Sequence, residues 1–260
     1  ATPKSFEVCD FNAFTYGLKE PIGYPAILKP SDGRGSRGVL LIEKGQNLKW
    51  AFEHAMSFSD NGILILEEFI KGPQLSVEGI FINGRYEAIA YADRNYNNLP
   101  ITKPYIVENG GCLPSHFEGP ILEEIRLLIE IGAFSLGLSW GVVKADIVLG
   151  RKNKPMIIEL AGRLSGNYLA THHIPAAYGV DLVGAMIDLC MGKEVNNAML
   201  QAKYKKHIGV RYFFPPVGKI LNIIGENQVK EHDYTYMYDM YIKVGDIQPV
   251  IDCHVARAGV

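Results

Sequence analysis

Lys29 closes a short apolar run, YPAILKP (24–30), and a glycine-rich loop, SDGRGSRG (31–38), follows it directly. An amine at the end of a buried strand needs an anionic partner, and a phosphate is a natural one. The loop sets Gly33, Gly35 and Gly38 among Arg34, Ser36 and Arg37. Joined to a second apolar run, VLLIE (39–43), it reads either as a plain flexible hairpin or as a flap whose backbone N–H groups fold over phosphates. It is neither a P-loop nor a dinucleotide fingerprint, since no GKS/T follows and no helix opens at it.

A second set lies downstream. Asp146 and Glu159 each interrupt an apolar run, VVKADIVLG (142–150) and PMIIELA (155–161), and the two runs read as hairpin partners across RKNK. Taken singly, each is an outward-facing, solvated carboxylate. Taken as a facing pair, they make a hard-oxygen site of the kind magnesium prefers, with phosphate oxygens completing the shell. Arg163, four residues beyond Glu159, adds a cation for a carboxylate or a developing oxyanion.

Glu67 and Glu68 end the run ILILEEF (63–69). They serve either as simple solvation of a strand end or as the start of an exposed backbone that reads an adenine edge. In the second case Phe69 and Ile70 supply the apolar contacts. The pair His172-His173 has no i, i+4 histidine or nearby Cys and reads as a helix-start or surface pair. Cys112 has no His or Asn placed to activate it.

The elements that must hold these residues are legible in outline. Residues 47–58 carry apolar residues at helical spacing, with Asn47 as a cap. LSVEGIFI (75–82) and RYEAIAY (85–91) flank Asn83-Gly84, a pair suited to a type I′ turn. Residues 94–117 read as irregular, 122–138 as a strong amphipathic helix, and 173–192 as a helix with an early break. The opening ATPKSFEVCDFNAF reads as a connector entering a helix, and residues 209–260 as a small β-rich subdomain.

Composition sets outer limits. At 260 residues, with 48% hydrophobic and 21% charged, the chain can bury a sizeable core. Lys and Arg number 26 against 28 Asp and Glu, a net charge of -2 without basic runs, which argues against a nucleic-acid partner. No apolar stretch approaches the ~20 residues of a membrane span, and no signal-peptide pattern opens the sequence. Four scattered cysteines without a CxxC pair suit a reduced, cytoplasmic protein.

Taken in order, the ILKP strand, the GRGSRG loop, ILILEEFIKG, LSVEGIF and the spaced Asp, Glu and Arg of KADIV…IIELAGR resemble the ATP-grasp superfamily across most of residues 20–195. Within it, VENGGCLPSHF, IIELAGRLSGNYL and RYFFPPVGKIL…ARAGV are most similar to the branch of L-amino-acid ligases and other carboxylate–amine ligases. The resemblance implies an α+β fold of two subdomains gripping a nucleotide, 1–70 with the flap and 71–200 with the metal and substrate site. A β-rich lid, 201–260, follows.

The resemblance also implies roles. Lys29 contacts the ATP phosphates, under a loop of Gly33, Arg34, Gly35, Ser36, Arg37 and Gly38. Glu67 accepts from the adenine amino group, the backbone of Glu68, Phe69 and Ile70 lines the base, and Gln74 meets the ribose. Asp146 and Glu159 hold magnesium or manganese, Arg163 stabilises the acyl phosphate and its tetrahedral successor, and Glu108 lines the amino-acid pocket. The implied reaction activates a carboxylate as an acyl phosphate for attack by an amine. The alternatives are related chemistry on bicarbonate, as in carbamoyl-phosphate synthases and carboxylases, or a catalytically weak nucleotide-binding module. A homodimer is also implied.

The sequence departs from the family at three positions. Asp146 stands where many relatives have Glu, Ala161 where many have a metal-binding Asn, and Gly111 where the ligase branch often has His. Only 28 residues precede Lys29, so the N-terminal domain usual in the family is expected in a longer protein.

Overall fold

The computed structural model describes every residue from Ala1 to Val260. In chain order the elements are β1 (Ser5–Val8), α1 (Phe11–Lys19), β2 (Ala26–Pro30), β3 (Leu40–Ile42), α2 (Leu48–Met56), β4 (Leu64–Glu68), β5 (Gln74–Ile82), β6 (Arg85–Asn95), α3 (Leu99–Thr102) and β7 (Gly110–Leu113). They continue as α4 (Pro120–Ser135), β8 (Gly141–Leu149), β9 (Pro155–Ala161), α5 (Ile174–Tyr178), α6 (Leu182–Cys190), β10 (Ile208–Arg211), β11 (Gly218–Lys219), α7 (Glu226–Lys230) and β12 (Ile247–Gln248). These form two compact units. The flap unit comprises Lys4–Phe69, Asn95–Gly110 and Val210–Val260; the carboxylate unit comprises Ala1–Pro3, Ile70–Arg94 and Gly111–Gly209.

The flap unit is built on an antiparallel sheet of order β1-β4-β2-β3. Buried Leu28, Leu40, Ile42, Leu64 and Leu66 meet Phe14 and Leu18 of α1 and Ala51 and Ala55 of α2. Both helices begin at side-chain caps: Asp10 Oδ1 accepts from the Ala13 N–H at 2.7 Å, and Asn47 Oδ1 from the Trp50 N–H at 3.1 Å. The stretch SFEV, expected as connector, is instead strand β1, in register from Ser5↔Glu67 to Val8↔Leu64. Four residues with Val8 alone fully buried are too short to show a period of two, so the pairing with β4 decides the matter. Towards the C-terminus, β11 pairs with β12, and the Asp239 and Val260 backbones exchange two 2.8 Å hydrogen bonds.

The carboxylate unit carries a sheet of order β10-β7-β6-β5-β8-β9. The β5–β6 hairpin turns at Asn83-Gly84 with φ values of 51° and 76°, the doubly positive pattern expected of that dipeptide. One sheet face packs Leu75, Val77, Val143, Ala145 and Ile147 on Ile125, Ile129 and Ala133 of α4. The other packs Ile80, Ile82 and Val142 on Ile174, Leu182 and Ala185. The expected break in the 173–192 helix is Gly179, left-handed at φ 69°, between α5 and α6. No helix is long and apolar enough to cross a membrane.

Two β-bulges interrupt this sheet. On β6 the register passes from Glu78↔Ala90 to Gly79↔Ala88, and on β9 from Asp146↔Glu159 to Ile147↔Ile157. At the first, a Cβ on Gly79 would lie 2.4 Å from the Glu87 carbonyl oxygen and 2.6 Å from the Tyr86 ring. Tyr86 is fully buried and donates its hydroxyl to Val143 O at 2.9 Å, so the ring cannot move aside cheaply.

Gly79→Ala should therefore destabilise the unit by about 2 kcal/mol or more, read as a lowered urea midpoint at constant slope. A pH effect is expected from His173, which burial, helped by His172, pushes down to about 4. A histidine with a depressed folded pKa contributes stability that is lost as pH falls from about 6.5 towards 4. Thermal midpoints recorded across that window should flatten in His173→Gln.

Candidate active site

Two rows of cross-strand partners place the polar residues of the carboxylate unit. Ser76, Asp146 and Glu159 form one row across β5, β8 and β9; Glu78, Lys144 and Ala161 form the next. Opposite partners, and residues two apart on one strand, share a sheet face. Arg94 joins that face from β6, opposite Gln74. The hairpin read from the sequence thus sets Asp146 and Glu159 directly across from each other.

Burial makes the pairing strict. Asp146 Oδ1 accepts from Ser76 Oγ at 2.7 Å, while Oδ2 accepts from both Lys144 Nζ and Arg94 Nη1 at 2.6 Å. Burial alone would push the Asp146 carboxyl up. The charges of Arg94 and Lys144, with hydrogen bonds from Lys144 and Ser76, overcome this and hold it at about 2. Lys144 Nζ also reaches Glu159 Oε1 at 3.2 Å, and Arg163 Nη2 reaches the same oxygen at 3.3 Å. Asp146 and Lys144 are under 10% exposed, Glu159 and Arg163 about half. A further carboxylate, Glu78, is fully buried and accepts from the Ser165 N–H at 2.9 Å, tying the backbone just beyond Arg163 to the sheet. Burial raises it to about 7, against hydrogen bonds from Ser165 and the charges of Lys144 and Arg163.

The donor set fits a hard divalent cation in one respect. Two carboxylates on adjacent strands already converge on one positive centre, the Lys144 ammonium. They form a pair and not a triad, for no group of three His, Cys, Asp or Glu gathers in a metal-holding arrangement. Phosphate oxygens and water would have to complete the shell. Ala161 extends the Glu78–Lys144 row without adding a ligand.

In the flap unit, Lys29 Nζ and Glu67 Oε2 meet at 2.7 Å across the neighbouring strands β2 and β4. Both side chains are largely covered, so the buried amine has its anionic partner in a carboxylate. The loop after Lys29 turns through left-handed Gly35, Ser36 and Gly38, and the Arg37 N–H bonds Arg34 O at 3.3 Å. His254 holds it from the far end of the sequence: its N–H donates to Gly35 O at 3.1 Å, and its Nε2 lies 3.2 Å from Ser36 Oγ. A Cβ on Gly33 would crowd Pro30 at 3.1 Å. Glu68 accepts from the Lys4 N–H at 2.8 Å, and the Phe69 N–H donates to Pro25 O at 3.2 Å. Glu108 offers its carbonyl to Arg257 Nη1 at 3.3 Å, and that guanidinium stacks on Tyr212 at 3.6 Å. In the carboxylate unit, Ile70 leads into β5, and Gln74 opens that strand two residues before Ser76.

Within each unit, then, the residues singled out in the sequence fall into two groups, Lys29 with Glu67, and Asp146 with Glu159 and Arg163. Sequence reading missed Lys144, Arg94, Ser76, Glu78 and His254. Lys144 carried a signal, a lysine interrupting an apolar run two residues before Asp146. Arg94 carried none, because its facing depends on the bulge in β6.

Alanine–anticapsin ligase of Bacillus subtilis is 27% identical over 221 residues, covering 74% of this chain and 44% of its own length. D-alanine–D-alanine ligase of Phocaeicola vulgatus is 25% identical over 205 residues, 73% of this chain and 57% of its own. Among solved structures, the L-amino acid ligase from Bacillus licheniformis superposes with a TM-score of 0.79 at 17% identity, over 100% of this chain and 61% of that one. The chain thus spans less than two thirds of each of these relatives. Residues 9–167 match the ATP-grasp domain, and the protein belongs to that family.

Proposed function

We propose that the chain is the nucleotide-binding and catalytic part of an ATP-dependent carboxylate–amine ligase, acting on amino acids or similar small substrates. The observation that carries the reading is the facing pair Asp146 and Glu159, converging on one cation, with Arg163 against the same Glu159 oxygen. Ligases of amino acids among the similar proteins support it. In the reaction a substrate carboxylate oxygen attacks the γ-phosphorus of ATP, ADP leaves, and an acyl phosphate forms. The amine then attacks the acyl carbon, loses a proton and expels phosphate.

Asp146 and Glu159 would hold magnesium, or manganese, which neutralises phosphate charge when bound. Arg163, half exposed, stabilises the oxyanion that develops on the acyl group. Lys29 meets the phosphates beneath the loop of Gly33 to Gly38, with Glu67 as its resting partner. Glu67 accepts from the adenine amino group, the Glu68–Ile70 backbone lines the base, and Gln74 meets the ribose. Glu108, with its carbonyl held by Arg257, lines the amino-acid pocket. Nucleotide-gripping subdomains at 1–70 and 71–200, a lid at 201–260, a preceding N-terminal domain, a homodimer and a cytoplasmic setting belong to the same reading. Chemistry on bicarbonate is the second reading. It has support from the 2-oxoglutarate carboxylase biotin carboxylase domain of Hydrogenobacter thermophilus, solved with MgADP and bicarbonate, at a TM-score of 0.67 and 17% identity over 99% of this chain and 57% of that one.

Phosphate release from MgATP by the full-length protein should rise only with one pool among pooled amino acids, small carboxylates and bicarbonate. Release with bicarbonate alone would select the second reading, and release with no pool would reject both. Arg163→Ala should lower kcat by about 100-fold with little change in the KM for ATP. Lys29→Ala should instead raise that KM by about tenfold or more. Glu159→Gln leaving MgATP turnover unchanged would refute its metal role.

A further inference from the structure

Lys144 lies in the middle of β8, a strand buried along its whole length, and its side chain is 9% exposed. An ammonium in that position costs several kcal/mol unless paired. Asp146, however, has other partners in Arg94 and Ser76 at 2.6 and 2.7 Å. What Lys144 adds is a bridge, since its Nζ touches both Asp146 and Glu159, at 2.6 and 3.2 Å.

The charges around it are balanced. Lys144 and Arg94 stand against Asp146 and Glu159. At the margins, Arg163 adds one positive charge, and Glu78, directly opposite Lys144, adds up to one negative. A divalent cation brought in alone would leave a largely buried cluster two charges positive, an arrangement that low-dielectric surroundings penalise heavily. One brought in with a polyphosphate would arrive with its own compensating anion.

We infer that Lys144 is a resident counter-ion, whose ammonium holds the position between Asp146 and Glu159 that a divalent cation takes, and which yields it when metal and nucleotide phosphate arrive together. The inference rests on the metal role proposed for Asp146 and Glu159. It makes Lys144 a coupling residue: metal and nucleotide each tighten the other, because either alone meets an unfavourable charge balance.

The test is Mn2+ binding to the full-length protein by equilibrium dialysis, with and without adenylyl-imidodiphosphate, the metal held by the analogue in the protein-free compartment being subtracted. The wild type should bind Mn2+ weakly alone and at least about tenfold more tightly with the analogue. Lys144→Met should bind Mn2+ alone at least about tenfold more tightly than the wild type, with the analogue adding little. Adding Glu159→Gln to Lys144→Met should abolish the gain. A folded Lys144→Met that binds Mn2+ no better than the wild type overturns the inference. Should Lys144→Met fail to fold, Lys144→Gln keeps hydrogen bonds to the carboxylates and carries the same expectation and the same refutation. Absence of Mn2+ binding by the wild type even with the analogue would overturn the underlying metal role instead, and the inference with it.

Discussion

The carboxylate unit depends on one electrostatic constraint, the burial of Asp146 as an ion. A carboxylate removed from water must be neutralised and hydrogen-bonded or it will protonate. Here the answer is Arg94, Lys144 and Ser76, delivered by three different strands around one pair of oxygens. The contacts from Ser76 on β5 and Arg94 on β6 each require a particular register, so the alignment of β5, β6 and β8 is fixed by charge as well as by the apolar packing on either face. Removing one partner would strand a buried charge, which costs far more than the pair itself contributes.

The flap unit solves a similar problem on a smaller scale. Lys29 is paired with Glu67 across the two central strands of a well-packed sheet, and the loop beyond it is held by Asn61 against Ser31 and Asp32 and by His254 against Gly35 and Ser36. A packed sheet that carries a left-handed loop beside a paired lysine sets exposed backbone at the end of a fixed frame. The backbone strain at Ser36, with φ at 61°, belongs to the same economy of order.

Local features were readable from the sequence, and features made by distant contacts were not. Asn83-Gly84, the Asn47 cap, the break at Gly179 and the facing of Asp146 and Glu159 all follow from chemistry within about fifteen residues. The resemblance of the ordered motifs then reached the family. By contrast, strand β1 exists because β4 accepts it, and His254 meets Ser36 across 218 residues. The Lys144 ammonium was missed for another reason: a lysine between apolar residues looks like a strand's solvent side, and only its 9% exposure shows otherwise.

The bulge at Glu78/Gly79 has a consequence for how the site tolerates changes in chain length. Side chains alternate between faces, so one surplus residue in β6 reverses the phase of everything beyond it. With Glu78 opposite Ala90, Arg94 falls opposite Gln74 and turns to Asp146. Continued with the same residues and no bulge, the pairing of Gly79 with Ala88 would bring Asp93 opposite Gln74 and turn Arg94 to the α4 side. A single-residue deletion between the bulge and Arg94, with the bulge kept, would bring Asp93 opposite Ser76 and so exchange a guanidinium for a carboxylate on the Asp146 face. The sign of the local potential is therefore written in a count of residues, and parity in β6 is as much a part of the chemistry as any side chain.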